Sequence, residues 1–243
     1  MTWRERAATV AVLSAMALVV LDAGMLNVAL PMIAGALGET PARATLAISA
    51  YQAALVIGLL PCAQMAERIG YRRLFIAGTS TFLAASILCA LAQSLPVLVA
   101  ARIVQGLGGA AIMGLGIALL RFALGSSRLG AAIGWNALTV ALCTAVAPIL
   151  GAAILSAASW SWLFLVKLPI GAVALVAATF LPEVAPTRAS VDRPAILLHG
   201  MAATLVLVAA QTVISGPLAA AALLAAAIPV GAQPVAGGRA GAR

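Results

Sequence analysis

The chain has 243 residues, 64% of them apolar and only 8% charged, more oily surface than a water-soluble domain of this length can bury, so lipid is its solvent. Its apolar runs extend for about 20 residues without the alternating polarity of barrel strands, which selects transmembrane α-helices over a closed barrel. The net charge of +8 comes from arginines scattered between apolar runs with few aromatics among them, a pattern of topology signals that excludes nucleic acid as the partner.

The first span is expected at roughly 8–34. Arg4 and Arg6 precede an apolar core as in a signal peptide, but the run continues through Asp22 and Asn27 to about Gly35 with no clear cleavage signal, and reads as an uncleaved span. Asp22 falls near its middle. An ionised carboxylate there is costly, so it must be neutralised, paired or turned to water, which makes it a candidate proton-coupling group or else a polar bridge between helices. The second and third spans, at roughly 45–65 and 74–94, enclose a charged turn with Glu67, Arg68, Gly70, Arg72 and Arg73. The fourth, at roughly 97–120, carries Arg102 a few residues inside one end. Arginine does not deprotonate in proteins, so Arg102 needs a partner, a cavity or the nearby headgroups. Gln105, Gly106 and Gly109 follow at helical spacings and share its face. The natural expectation is that Arg102 tunes Asp22 by contact or through a shared field.

The fifth span, at roughly 130–156, offers Asn136 and Thr139 as cavity-lining or helix-bridging groups, as Gln52 does in the second. Its Pro148 removes a backbone bond and predicts a kink beside Gly151. The sixth, at roughly 161–181, contains Lys167, about 10 Å from the end by helical rise, where the amine would snorkel towards water or pair. After a polar linker, 183–194, with Glu183, Pro186, Arg188 and Asp192, up to two more helices follow at roughly 195–215 and 217–231, then a Gly- and Ala-rich tail, 232–243, that reads as disordered. With the amino terminus cytoplasmic, Arg4, Arg6, Arg68, Arg72, Arg73, Arg121, Arg128, Arg188, Arg193, Arg239 and Arg243 all lie inside and only Arg43 outside, as the positive-inside rule requires. Cys62, Cys89 and Cys143 sit in separate apolar runs without ligand spacing, and His199 stands alone, so no metal is expected. Nor is there a nucleophile–base pair or a phosphate-cradling loop, and no enzyme is expected.

Five segments in order support a family resemblance. LDAGMLNVALP (Leu21 to Pro31), AQMAERIGYRRL (Ala63 to Leu74), RIVQGLGGA (Arg102 to Ala110), AVAPILGA (Ala145 to Ala152) and WSWLFLVKLPIG (Trp160 to Gly171) resemble the motifs of the fourteen-helix drug:proton antiporter branch of the major facilitator superfamily. The match departs at Ala63, Glu67 and Tyr71 in the loop, at two alanines in the fifth span, and at Ser161 and Lys167, where the family has arginine and asparagine. The resemblance implies an all-α, polytopic bundle: a six-helix amino-terminal domain over 1–182, plus up to two connecting helices, in a bacterial-type inner membrane. It further implies export of small amphipathic drugs or metabolites driven by a proton gradient with no cofactor. Asp22, Arg102, Gln105 and Asn136 would then belong to the coupling site and cavity, the loop from Glu67 to Arg73 would act as a latch, and Pro148 and Gly151 would shape the gate. A complete transporter of the branch has a second six-helix bundle. A half-transporter completed by a second copy or a separate carboxy-terminal bundle, and a truncated, non-transporting remnant, both remain open on the sequence.

Overall fold

A backbone amide in lipid has only its own chain to bond with, and the apolar runs accordingly close into helix. The computed structural model describes residues 2–184 and Gly200, and among the described residues there is no strand. The helices are α1 (Trp3–Ala36), α2 (Pro41–Ile69), α3 (Tyr71–Ala90), α4 (Leu95–Leu124), α5 (Ser126–Ala157), α6 (Trp162–Leu165) and α7 (Leu168–Ala178). The first five are long and apolar enough to cross a membrane, and α6 and α7 together make a shorter apolar helix, Trp162–Ala178. The chain divides into two units, 1–191 and 192–243. The expected linker beyond Val184, the helices at 195–215 and 217–231, His199 and the tail lie outside the described residues, apart from helical Gly200.

Local chemistry sets the ends. α1 begins five residues earlier than the apolar run because Thr2 and Glu5 form a reciprocal capping box, Glu5 N–H donating to Thr2 Oγ1 (3.3 Å) and Thr2 N–H to Glu5 Oε2 (2.8 Å). Thr40 caps α2 one way only, its Oγ1 accepting from Arg43 N–H (3.3 Å), with Pro41 in the first turn. Gly70 alone joins α2 to α3, at φ 98°, a conformation that side-chain-bearing residues rarely adopt. The sixth span differs from the single helix expected at 161–181: it breaks at Val166 and Lys167, just before Pro169, which has no amide hydrogen to close the turn onto residue 165. Pro148, by contrast, lies inside α5 without interrupting it.

Because lipid is as apolar as leucine, close packing rather than the hydrophobic effect must hold the helices together. α4 is the hub, touching α1, α2 and α3. A Cβ at Gly106 would lie 2.4 Å from the Tyr51 carbonyl of α2, and one at Gly108 would lie 2.7 Å from the Gly78 carbonyl of α3. Both glycines thus admit a neighbouring backbone where no side chain would fit. Two apolar clusters fill the interior. One gathers Val12, Met16, Phe75, Phe82, Ile112 and Leu119, the other Met25, Ile33, Leu98, Trp160 and Phe164. Asp22 on α1 and Arg102 and Gln105 on α4 fall along the chain between the members of these clusters.

Candidate functional site

A charge in a lipid-embedded bundle must find its partners inside the protein, and three charged side chains meet between the two apolar clusters. Asp22, Arg102 and Lys167 are 1%, 0% and 2% exposed. Arg102 Nη1 donates to Asp22 Oδ2 and Lys167 Nζ donates to Asp22 Oδ1. Gln105 Nε2 donates to the same Oδ1 at 3.0 Å, so the carboxylate is bound on both oxygens from α4 and from the α6–α7 break.

A second set of contacts fixes these groups in place. Arg102 Nη1 also donates to Gln105 Oε1 (2.6 Å), its Nε donates to the Ala47 carbonyl (3.3 Å), and its guanidinium carbon lies 4.0 Å from the centre of the Tyr51 ring. Gln105 Nε2 reaches Ser86 Oγ at 2.8 Å, Ser86 donates to the Phe82 carbonyl (2.9 Å), and Cys89 Sγ donates to Gln105 Oε1 (3.7 Å). The Lys167 amine stands 5.0 Å from the centre of the Phe164 ring. Arg102 Nη2 and Tyr51 Oη are buried without a hydrogen-bond partner among the described residues. With one carboxylate against an ammonium and a guanidinium, the cluster carries a formal charge of +1.

Arg102 therefore contacts Asp22 directly, and of the two roles open to Lys167 the structure takes pairing: the amine turns inward rather than to the headgroups. Gln105 joins the cluster, whereas Gly106 and Gly109 serve the approach of α2. Asn136 is elsewhere, half-buried on α5, with Oδ1 buried and unpartnered among the described residues. Thr139 donates to its own helix at Trp135 O (2.9 Å), and Gln52 is exposed. Gly151 abuts Met25, whose carbonyl would lie 3.2 Å from a Cβ there, so this glycine serves the α1–α5 contact.

The arginine-rich end of the bundle has its own pairs. Arg72 meets Glu183 at 3.3 Å, and Arg128 of α5 meets Glu5 of α1 at 2.7 Å. Glu67, Arg68 and Arg73 flank Gly70 as exposed side chains. The pairing of Arg72 with the start of the linker was not legible in the sequence, nor were Tyr51, Ser86 and Cys89 as neighbours of the charges.

Comparison with known proteins agrees with this architecture. The sequence profile described as Major Facilitator Superfamily matches residues 12–236. The "Uncharacterized transporter YebQ" of Escherichia coli (strain K12) is 46% identical over 164 residues, 67% of this chain and 36% of that protein. A "Putative multidrug resistance protein MdtD" of Yersinia enterocolitica is 32% identical over 168 residues, 69% of this chain and 36% of its own length. The chain thus spans little more than a third of the curated relatives it matches. Among solved structures, the "Crystal structure of auto inhibited POT family peptide transporter" superposes with a TM-score of 0.66 at 16% identity over 92% of this chain and 51% of the other, a likeness of fold alone. Apolar spans, motifs in family order and a profile match over nearly the whole sequence converge: this chain belongs to the major facilitator superfamily of membrane transporters.

Proposed function

We propose that the chain contributes one bundle to a proton-driven exporter of amphipathic drugs or metabolites, with its amino terminus in the cytoplasm of a bacterial-type cell. The observation that carries this reading is the ionisable cluster on Asp22, sealed from lipid between two apolar layers. Intramembrane ionisable groups are expensive and mark ion or proton paths. The multidrug name of the MdtD relatives favours drugs as cargo. In transporters of this architecture the substrate path runs between two bundles that rock against each other, so a second copy or a separate carboxy-terminal bundle supplies the other wall. The Glu67–Arg73 loop serves as its latch, and the proton gradient takes the place of a cofactor.

The test is reconstitution of the purified chain into proteoliposomes with its oligomeric state measured and a proton gradient imposed, using an amphipathic cation such as ethidium as reporter. Accumulation is expected from an assembly containing two bundles, none from a verified monomer, and none once Asp22→Asn is introduced. Robust accumulation by the monomer would overturn the two-bundle geometry, and undiminished accumulation by Asp22→Asn would remove the cluster from the coupling path.

A further inference from the structure

We infer that Lys167, not the aspartate it rests on, is the group that gains and loses the proton in this cluster. The inference deepens the coupling-site reading above and rests on it for the word coupling; the titration itself does not.

Three observations carry it. The first is charge. Asp22 holds two cations at once, so adding a proton to its carboxylate would leave a buried cluster of +2, whereas taking one from Lys167 leaves a cluster of zero. A buried site penalises net charge, and of the two cations only the lysine can surrender a proton. The second is composition. Lys167 is the only lysine in the chain, and every other basic side chain except His199 is an arginine. Fixed charge thus serves at the loops and at position 102, while the one dischargeable ammonium lies in the sealed interior.

The third is placement. Lys167 occupies the break between α6 and α7, where Pro169 has no amide hydrogen to give the Leu165 carbonyl, although the Lys167 carbonyl itself still accepts from Gly171 N–H (3.0 Å). Lys167 touches Asp22 from α1 and faces the Phe82 ring of α3 and the Phe164 ring of α6, while Arg102 and Gln105 of α4 share the carboxylate, Cys89 of α3 bonds Gln105 and Tyr51 of α2 lies against Arg102. None of these except Asp22 is an anion. In the step, one Nζ–H bond breaks heterolytically, the electron pair stays on nitrogen, and the proton passes to water admitted from one side of the membrane. Reprotonation from the other side restores the ammonium and its ion pair. Asp22 remains the carboxylate throughout, clasped by Arg102.

The single lysine makes the test direct. The full chain, carrying lysine labelled with 13C at Cε and 15N at Nζ, gives one side-chain signal in lipid nanodiscs. Aspartate labelled at its carboxyl carbon gives two, from Asp22 and Asp192, distinguished by Asp22→Asn. Titrated from about pH 5 to about pH 10, a range that lies between the ordinary aspartate and lysine values, Lys167 should pass from the ammonium to the amine shift while the Asp22 signal stays that of a carboxylate. A Lys167 signal fixed at the ammonium position, or an Asp22 signal that titrates in its place, overturns the inference. In a two-bundle assembly that transports, Lys167→Arg, which keeps a cation but fixes its charge, should lose the response to the proton gradient. If that variant keeps the response, the inference fails and the export reading stands; if no assembly transports, the export reading fails and the nanodisc titration still decides the fate of the lysine.

Discussion

Buried ion pairs in the middle of the bundle and exposed ones at its arginine-rich end use the same chemical groups. In the pair of Arg128 with Glu5 the side chains are 49% and 21% exposed, and in that of Arg72 with Glu183 they are 27% and 69% exposed. Water and salt can replace either partner there, so such pairs bias a loop's position without determining the fold. The pairs on Asp22 have no such substitute. Removal of the carboxylate inside leaves two cations dry and unmatched. Burial, not the identity of the charged groups, separates the pairs that the packing depends on from those it can lose.

The largest expected effect breaks the interior cluster. Asp22→Asn keeps the shape but strands two cations, and should cost roughly 3–5 kcal/mol of stability, read as a lowered unfolding transition of the reconstituted chain. A variant within about 1 kcal/mol of the parent would show that water reaches the cluster. Lys167→Met sharpens the comparison from the other side, since it leaves Asp22 and Arg102 as a matched pair and nearly preserves volume. Its cost should stay below about 1.5 kcal/mol, and a loss equal to that of Asp22→Asn would contradict the charge count. At the exposed end, Glu183→Gln should change stability by no more than about 1 kcal/mol, with the difference shrinking as salt is raised. A larger, salt-independent loss would mean that the Arg72 pair is shielded from solvent.

Much of this fold was legible because lipid leaves the chain few choices. Long apolar runs and the arginines between them located the first five helices to within about five residues at either end, though not the break that splits the sixth span, and the capping box at Thr2 and Glu5, visible as a Ser/Thr-x-x-Glu signature, would have corrected the start of α1. Asp22 and Arg102 were conspicuous as charges in oily segments, and the three-residue spacing from Arg102 to Gln105 placed both on one face. The seat of Lys167 was less legible. Distance along an uninterrupted helix put it near the headgroups, but the break before Pro169 and the register of α7 against α1 and α3 carry its amine inward. The places of Tyr51, Ser86 and Cys89 beside the charges escaped notice for a related reason. A lone phenol, hydroxyl or thiol in an apolar run has no periodicity of its own, and which helix it faces is decided by packing between segments distant in sequence.

The contact between α1 and α5 differs from those around α4 in texture. Gly24 lies opposite Ala147, where a Cβ would come within 2.5 Å, and Gly151 lies against the Met25 backbone. Ala132, Ala147 and Gly151 are the buried residues of α5 whose side-chain surroundings are described, and none has a side chain longer than a methyl. The fully buried line of the seam is thus hydrogens and methyls, with Cys143, Ile154 and Leu155 of α5 packed beside it as partly buried side chains. Packed helices shear past one another by displacements of about 1–2 Å, and a joint without interlocking side chains gives way to such sliding more readily than one in which residues must be pulled from their sockets. Sliding of α5 on α1 would thus meet few fully buried side chains along this line, and the Arg128–Glu5 pair would be a tie it has to break.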